Sequence, residues 1–534
     1  MSTLTRPAPT PSFVQPPSTR SLRWHGFVAK INRPVVAILA VAAIAGYLRF
    51  VHLAYPEHRV FDEYYYTKSA CIFLNSSNER CDINSADERF WRDNEWDTGA
   101  WVHPPLGKWM IALGELAFGT ESMGWRAGAA VTGTATVVLL AVIIQLLFAS
   151  PIWTFTGGLL LATESLNLVQ SRTGTLDIFV AFWCVLVFLF LLLDRRWIER
   201  RTARAIADAA DAAPPPIAGG SGTAVATASG DGSGTAAVHE GEPQPKPRPR
   251  RRLPAPLWRP YRFAAGAAGG AAMATKWSGI TAVVTAAALG FAWEVVRRRR
   301  FGTKSPFVRT ITTEGFGLVL ALAVTPAIVY FATWIPWFIH FNWDFSHWAD
   351  VQEKSWEFHR DLKALNAQGQ PWHAYFSPAW QWIVLKRPVY YYGAFSSDGI
   401  KQVIYAQGNP LVFWGAILAI PYTAYAWWRK RDWRAAFVVV AVLGLYLPWF
   451  AVSRPQFLFY AAPITPFFVL AVVYALRDLS AVHVMGSRSR PFLPLVVGYV
   501  AASVILFLWF WPILTAGPLT EAGFNLRAWF PSWV

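Results

Sequence analysis

The chain has 534 residues, of which 54% are hydrophobic, 16% aromatic and only 15% charged, with a formal net charge of +16. A soluble domain carries about 25% charged residues, so the composition excludes an ordinary soluble protein and points to many membrane crossings. The basic residues bracket apolar runs, as topology-setting residues do, and the 29 tryptophans suit interfacial belts, so no nucleic-acid partner is expected.

Residues 1–33 form a basic, Pro-rich tail expected to be disordered and cytoplasmic. Met1 to Arg20 lacks the apolar centre of a cleavable signal, so the first span, about Val35 to Tyr55, is expected to act as its own insertion signal. Arg20, Arg23, Lys30 and Arg33 place its N-terminal flank inside. The loop of residues 56–122 is then outside. Within it, Val60 to Leu74 and Leu106 to Phe118 are semi-apolar but shorter than the roughly 20 residues a span needs. Both read as helices lying in the interface, the second with Leu106, Met110, Leu113 and Ala117 on one face. Cys71 and Cys81 flank a polar segment of this loop; a disulfide is compatible with an oxidising compartment, but spacing leaves the pairing open. Cys184 lies in an apolar run and reads as packing.

Spans two to four cover about 124–148, 152–170 and 175–194, and the last ends in a basic stop from Asp194 to Arg201. Residues 202–252 change abruptly to Ala, Gly, Pro, Ser and Thr and are expected to be a disordered cytoplasmic insert, expendable for chemistry. Arg262 to Val296 is too long for one span and reads as a tight helical hairpin with Lys276 at its outer turn. Span seven, about 314–341, leads into a second outer loop, 342–406, rich in Trp, Tyr and His. Four further spans follow at about 409–428, 435–452, 456–476 and 491–512. The expected architecture is an all-α multi-pass membrane protein of about 11 spans. It comprises an N-terminal module (34–201), helices five to seven (253–341), the outer loop (342–406) and a C-terminal four-helix module (407–534). The N-terminus is placed inside and the C-terminus outside.

This topology gathers Asp62, Glu63, His103, Lys108, Glu164, Arg172, Asp177, Lys276 and Arg454 toward the outer face. Ionisable groups at membrane depth are costly and line a site or pair with one another. Asp62 and Glu63 are adjacent, so on a helix they point to different sides and cannot share one task. From composition alone, Asp62 capping the helix with Glu63 in its first turn is the better account. Lys108 could snorkel to headgroups, Arg172 and Asp177 could simply pair across a turn, and Lys276 and Arg454 could each hold a lipid phosphate. Glu164, deep in span three, must find a partner or be neutral. The outer histidines His103, His340, His347, His359 and His373 show no tight metal-ligand spacing, so no metal is expected.

Six motifs occur in one order. They are Phe61-Asp62-Glu63-x-Tyr65-Tyr66, His103-Pro104-Pro105-Leu106-Gly107-Lys108, Ser171-Arg172 with Leu176-Asp177, Ala274-Thr275-Lys276-Trp277-Ser278-Gly279, Trp380-Gln381-Trp382 before Arg387-Pro388, and Ser453-Arg454-Pro455-x-Phe457-x-Phe459-Tyr460-x-x-Pro463. In that order they resemble the bacterial (actinobacterial) protein O-mannosyltransferases, over nearly all of residues 35–512 apart from the insert. The resemblance implies a GT-C glycosyltransferase fold in the cell membrane. It also implies a polyprenyl-phosphate mannose donor, no cofactor, and Ser/Thr hydroxyls of proteins in transit as acceptors, with the secretion channel and membrane lipids as compatible partners. It makes Asp62 the catalytic base, and Glu63, His103, Lys108, Arg172, Asp177, Lys276 and Arg454 substrate-binding. The eukaryotic members carry a β-trefoil domain in the large outer loop, for which residues 342–406 are too short.

The residues fit such chemistry. A lipid phosphate leaves as a stable anion, so no general acid is needed. Cations must stabilise its growing charge, and one base must take the acceptor proton. That is the minimal set for an inverting transfer on the extracytoplasmic side. Three alternatives stand beside it, of which a non-catalytic membrane scaffold would leave Asp62 without a task. A GT-C enzyme moving another sugar to an envelope glycan or lipid would share the first-loop carboxylate. A lipid or solute transporter would show internal repeats and midplane charges, whereas here no repeat is visible and the charges gather at one face.

Overall fold

The computed structural model describes residues 33–77, 79–83, 102–211, 253–483 and 490–533; the expected tail up to residue 32 and the expected insert after residue 211 lie outside them, whereas 202–211, expected to be disordered, continue the helix that begins at Asp177. The described chain is a helical bundle capped at one end by two elaborate loops. In order, α1 (Arg33–Phe50) is followed by α2 (Glu63–Phe73), α3 (Leu106–Phe118), α4 (Ser122–Phe148), α5 (Pro151–Ala162), α6 (Ser165–Gln170) and α7 (Asp177–Asp211). Next come α8 (Pro260–Thr275), α9 (Ile280–Arg300), α10 (Pro306–Val319), α11 (Thr325–Ala332), α12 (Ile335–His340), α13 (Phe345–Asp361) and α14 (Trp380–Ile383). The strands β1 (Val389–Phe395) and β2 (Ile400–Ala406) precede α15 (Pro410–Lys430), α16 (Trp433–Tyr446), α17 (Thr465–Ser480) and α18 (Leu493–Leu514), with β3 (Leu519–Thr520) and α19 (Glu521–Asn525) at the end.

Every expected span corresponds to a helix or a broken helix. Among the described residues eight helices are long and apolar enough to cross a membrane, and the chain is a multi-pass membrane protein. Three expected spans are shorter or interrupted. The span at 152–170 breaks at Glu164, α8 has 16 residues, and α17 also has 16 residues. Glu164 is fully buried and explains its own break: its side chain caps α6 at the Leu166 and Asn167 amides and also accepts from the Asn409 amide. Span seven is shifted toward the N-terminus of its expected range. It begins at Pro306, widens into a π turn at Leu320–Val324 just before Pro326, and ends at Ala332. A proline lacks the amide its helix needs, and local widening of the ladder absorbs that loss. Trp334 and Trp337 then leave the span for an aromatic cluster with Phe338 and the Cys71–Cys81 disulfide. Cys184 is free and buried, as its apolar run suggested.

Both short loop helices form where expected. On α3 the apolar stripe looks outward, with Leu113, Leu116 and Phe118 exposed, while Gly107, Lys108, Ile111, Ala112 and Glu115 are buried. Gly107 permits this seating: a Cβ there would lie 2.7 Å from Leu176 and 2.9 Å from Thr275.

The helical expectation omitted one element. Within the 342–406 loop, β1 and β2 form an antiparallel hairpin, and β3 extends it as a third strand. The runs Val389-Tyr390-Tyr391-Tyr392 and Val403-Ile404-Tyr405 are β-branched and aromatic, side chains that pack well on a half-buried sheet. Because β3 follows α18, the C-terminal segment lies on the same side of the bundle as this loop.

At the opposite end, Arg259 bridges Asp194 (2.6 Å) and Glu294 (2.5 Å), while Arg262 and Arg298 hold Glu314 and Arg297 holds Glu294. The network staples α7, α8, α9 and α10 roughly 25 Å along α7 from Asp177, at 1.5 Å per residue. Removing one partner strands a buried charge at a cost of about 3–5 kcal/mol. Arg259→Met should therefore lower the melting temperature of the detergent-purified protein clearly, and an unchanged melting curve would contradict this role.

Candidate active site

The loop after α1 enters α2 through Phe61, whose positive φ of 49° is held by its ring stacking on Tyr391 (4.3 Å) and edge-on against Phe459 (5.4 Å). The first amides of α2 are satisfied by backbone carbonyls: Glu63 N–H donates to Val60 O and Tyr64 N–H to Phe61 O. The Asp62 carbonyl accepts from Tyr65 and Tyr66, and its side chain makes no cap hydrogen bond. Capping, the better account from composition, therefore does not occupy the Asp62 carboxylate.

Glu63, expected to position a neighbour or bind substrate, is engaged with the protein itself. It is fully buried, and both its oxygens are committed. Oε1 accepts from Arg126 Nε and the Gly174 amide (both 2.8 Å), and Oε2 accepts from Arg126 Nη2 and the Val60 amide (both 2.9 Å). Arg126 also donates to the Leu53, Pro56 and His58 carbonyls. Glu63 is thus a staple joining the first loop to α4 and to the turn before α7. Glu63→Gln should lower thermal stability and the yield of folded protein, while the donor KM of the folded fraction stays near that of the parent. A selective rise in donor KM at unchanged stability would restore the substrate-binding role.

Arg172 is likewise part of the frame. Its guanidinium donates to the carbonyls of Leu48, Arg49, Val51 and His52, closing the C-terminal end of α1. Cations at a helix C-terminus satisfy its orphan carbonyls, and Arg172 does this instead of pairing with Asp177.

Asp177 opens α7 and reaches across 99 residues to Lys276, whose Nζ donates to its two oxygens at 3.0 and 3.2 Å. Lys276 sits where the chain is extended between α8 and α9, and its ammonium lies 4.2 Å from the centre of the Tyr460 ring. The Tyr460 hydroxyl accepts from Arg454 Nη2 at 3.3 Å, and Arg454 Nη1 donates to His359 Nδ1 at 2.7 Å. The His359 ring stacks on His103, with centroids 5.2 Å apart, and His103 packs near Tyr66. Lys108 does not snorkel. It is buried and donates from Nζ to the His103 carbonyl at 2.6 Å, and burial brings its pKa down to about 7.

Asp62 lies within electrostatic reach of Lys276 and Asp177 and is hydrogen-bonded by Tyr66. Burial, supported by the Asp177 charge and opposed by Lys276 and Tyr66, raises its pKa from 3.8 to about 7. His103 is driven well below the usual histidine range, first by burial and then by Lys276, His359, Lys108 and Arg454. The result is a buried cluster at one end of the bundle holding one carboxylate poised near neutrality, an Asp177–Lys276 ion pair, and one further cation. Such a site can accept a proton from a hydroxyl and stabilise an anion beside it.

The structure thus brings Asp62, His103, Asp177, Lys276 and Arg454 together, with Lys108 adjoining through His103, and assigns Glu63 and Arg172 to the frame. It adds Tyr66, His359, Tyr391 and Tyr460. Tyr391 is buried between Phe61 and the Gln170 side chain, whose Nε2 donates to its hydroxyl at 2.7 Å. Nothing local in the run Tyr390-Tyr391-Tyr392 distinguishes it. Among the described residues no group of three or more His, Cys, Asp or Glu converges in a way that could hold a metal ion.

Residues 102–202 match the family described as dolichyl-phosphate-mannose-protein mannosyltransferase, and residues 344–533 match the C-terminal four TMM region of protein-O-mannosyltransferase. The chain is 30% identical to the polyprenol-phosphate-mannose--protein mannosyltransferase of Mycobacterium tuberculosis, covering 93% of this chain and 90% of that protein. It is 25% identical to the protein of the same name from Corynebacterium glutamicum, covering 97% and 96%. In fold it is similar to a chain of the S. cerevisiae protein O-mannosyltransferase complex solved with the sugar donor bound. The TM-score is 0.66 at 14% identity, over 95% of this chain and 93% of that one.

Proposed function

The chain belongs to the protein O-mannosyltransferase family and transfers mannose to proteins, and we propose that Asp62 is the general base of a metal-independent, inverting transfer. The donor in this reading is polyprenyl-phosphate mannose, and the acceptor is a Ser or Thr hydroxyl on the extracytoplasmic face of the cell membrane. The observation that carries it is the Asp62 carboxylate, free of capping duty and set among Lys276, Asp177 and Tyr66.

In the transfer, the acceptor oxygen forms the new bond to the mannose anomeric carbon as its proton passes to Asp62. The bond from that carbon to the phosphate oxygen breaks, and its electron pair stays on the lipid phosphate. One displacement inverts the anomeric centre. The leaving group is a stable anion, so no second carboxylate need protonate it, in contrast to the acid–base pair of glycosidases. Lys276, although paired with Asp177, and Arg454 supply the positive potential that favours the departing phosphate. The donor lipid reaches the site from the bilayer, and the acceptor reaches it from the aqueous side as the polypeptide emerges from the secretion channel.

The test uses the purified full chain with polyprenyl-phosphate mannose carrying a radiolabel and a Ser/Thr-rich peptide. Label is expected in the peptide, with an anomeric configuration opposite to the donor's and a rate unchanged by prior dialysis against a chelator. Label appearing only in a glycan or lipid would move the enzyme to another acceptor class, and loss of activity on chelation that returns with a divalent cation would end metal independence.

A further inference from the structure

Arg454 and Lys276 both face the site, but they are held in chemically different ways. Lys276 is salt-bridged to Asp177. Among the described residues Arg454 has no carboxylate within ion-pair distance, and its two charged hydrogen bonds go to a neutral imidazole nitrogen and a phenol oxygen. Its Nε is buried with no hydrogen-bond partner, so the group retains unused donor capacity.

The tautomer of His359 follows from its neighbours. Guanidinium groups only donate, so Nδ1, 2.7 Å from Arg454 Nη1, must be the bare acceptor nitrogen. Nε2, 2.7 Å from the Val102 carbonyl, must then carry the proton. Burial and the Arg454 charge bring the His359 pKa down to about 4, so the ring is neutral at physiological pH. The ring is gripped on both sides, stacked on His103 and set edge-on to Trp277 with centroids 5.7 Å apart. One imidazole therefore ties α13, the segment before α3 and the α8–α9 turn to the cation that follows α16.

We propose that His359 is a positioning residue that fixes Arg454 against the phosphate of the lipid-linked donor while leaving its positive charge uncancelled. The inference rests on the mannosyl-transfer reading. A carboxylate at this place would hold the guanidinium as firmly, but would offset the charge that the departing phosphate needs. A neutral acceptor orients without neutralising. Arg454 then meets the charge that grows on the phosphate as the anomeric bond breaks with a charge that no direct ion pair offsets, beside the Lys276 charge that Asp177 partly offsets.

The experiment compares His359→Phe, His359→Asn and His359→Asp in the purified full chain, measuring kcat, donor KM, peptide KM and melting temperature. His359→Phe keeps a flat ring but loses both hydrogen bonds. It is expected to lower kcat by about 10–100-fold, roughly the loss of one charge-stabilising contact, with peptide KM unchanged. His359→Asn, whose amide oxygen can stand near the lost nitrogen, should recover most of kcat. His359→Asp should hold Arg454 yet fall with the Phe variant, because it cancels the charge. In an Arg454→Gln background, His359→Phe should cost nothing further. A Phe variant with the parent kcat, a fall that adds in full to that of Arg454→Gln, or Asn and Asp variants of equal activity would each overturn the role. If the Phe variant does not fold, the Asn–Asp contrast decides alone. An unsubstituted chain that transfers no mannose would instead overturn the mannosyl-transfer reading, and this inference with it.

Discussion

Asp62→Asn is expected to lower mannose transfer by about 10²–10⁴-fold, the usual worth of a positioned general base, in a protein that remains folded. The amide is nearly isosteric, and no cap hydrogen bond is lost, since the side chain makes none. The raised pKa sharpens the expectation. The base works only when ionised, so kcat/KM, which reports the free enzyme, should climb about tenfold per pH unit below the Asp62 pKa of about 7 and level off above it. The linkage to stability has the opposite sense. A carboxyl whose folded pKa is raised from 3.8 to about 7 binds its proton more tightly in the folded state. Stability associated with it is therefore intact below pH 3.8 and is lost as pH rises through that window. Asp62→Asn should consequently melt higher than the parent at pH 8, and the difference should shrink toward pH 4. A variant that is inactive and less stable at pH 8 would point to a structural carboxylate instead of a base.

Lys276→Gln should produce the second large loss, about 10²–10³-fold in kcat, the magnitude seen when one preorganised charge-stabilising group is removed. Its diagnostic is the pH profile more than the magnitude. Lys276 opposes the rise of the Asp62 pKa, whereas Asp177 promotes it. Removing the lysine unmasks Asp177 beside the base, so the rise in kcat/KM should move to higher pH. Asp177→Asn should move it to lower pH, because the anion that disfavours ionised Asp62 is gone. Opposite displacements of the two profiles would tie all three residues to one electrostatic unit. Two unshifted profiles would separate Asp62 from the Asp177–Lys276 pair (3.0 Å) and reduce that pair to a helix staple.

The spans were legible because membrane crossing is a property of composition along a contiguous stretch. Apolar runs of the required length, punctuated by prolines and basic clusters, identify themselves without tertiary knowledge. The hairpin turn at Lys276 was legible for the same reason, since the apolar run around it is too long for one helix. The hairpin of β1 and β2 was not, because an aromatic run in a Trp- and Tyr-rich loop carries no alternation that separates a strand from an interfacial helix. Motif order likewise marked Asp62, His103, Asp177, Lys276 and Arg454, which the fold brings into one cluster.

Motif membership did not reveal how each charge is spent. Glu63 and Arg172 stand in the same motifs as Asp62 and Asp177, yet one is buried against Arg126 and the other closes the end of α1. Partners 63 or 121 residues away in the chain are decided by how helices pack.

Asp62-Glu63 carries that division within a single dipeptide. The amino-acid sequence by itself placed two carboxylates just after the first span of a membrane bundle and required that adjacent positions part company. Only the tertiary structure decided which one is spent on the frame. A carboxylate surrounded by an arginine and two amides has no capacity left for chemistry, whereas one that makes no cap hydrogen bond and lies near a lysine and an aspartate is held close to its point of ionisation.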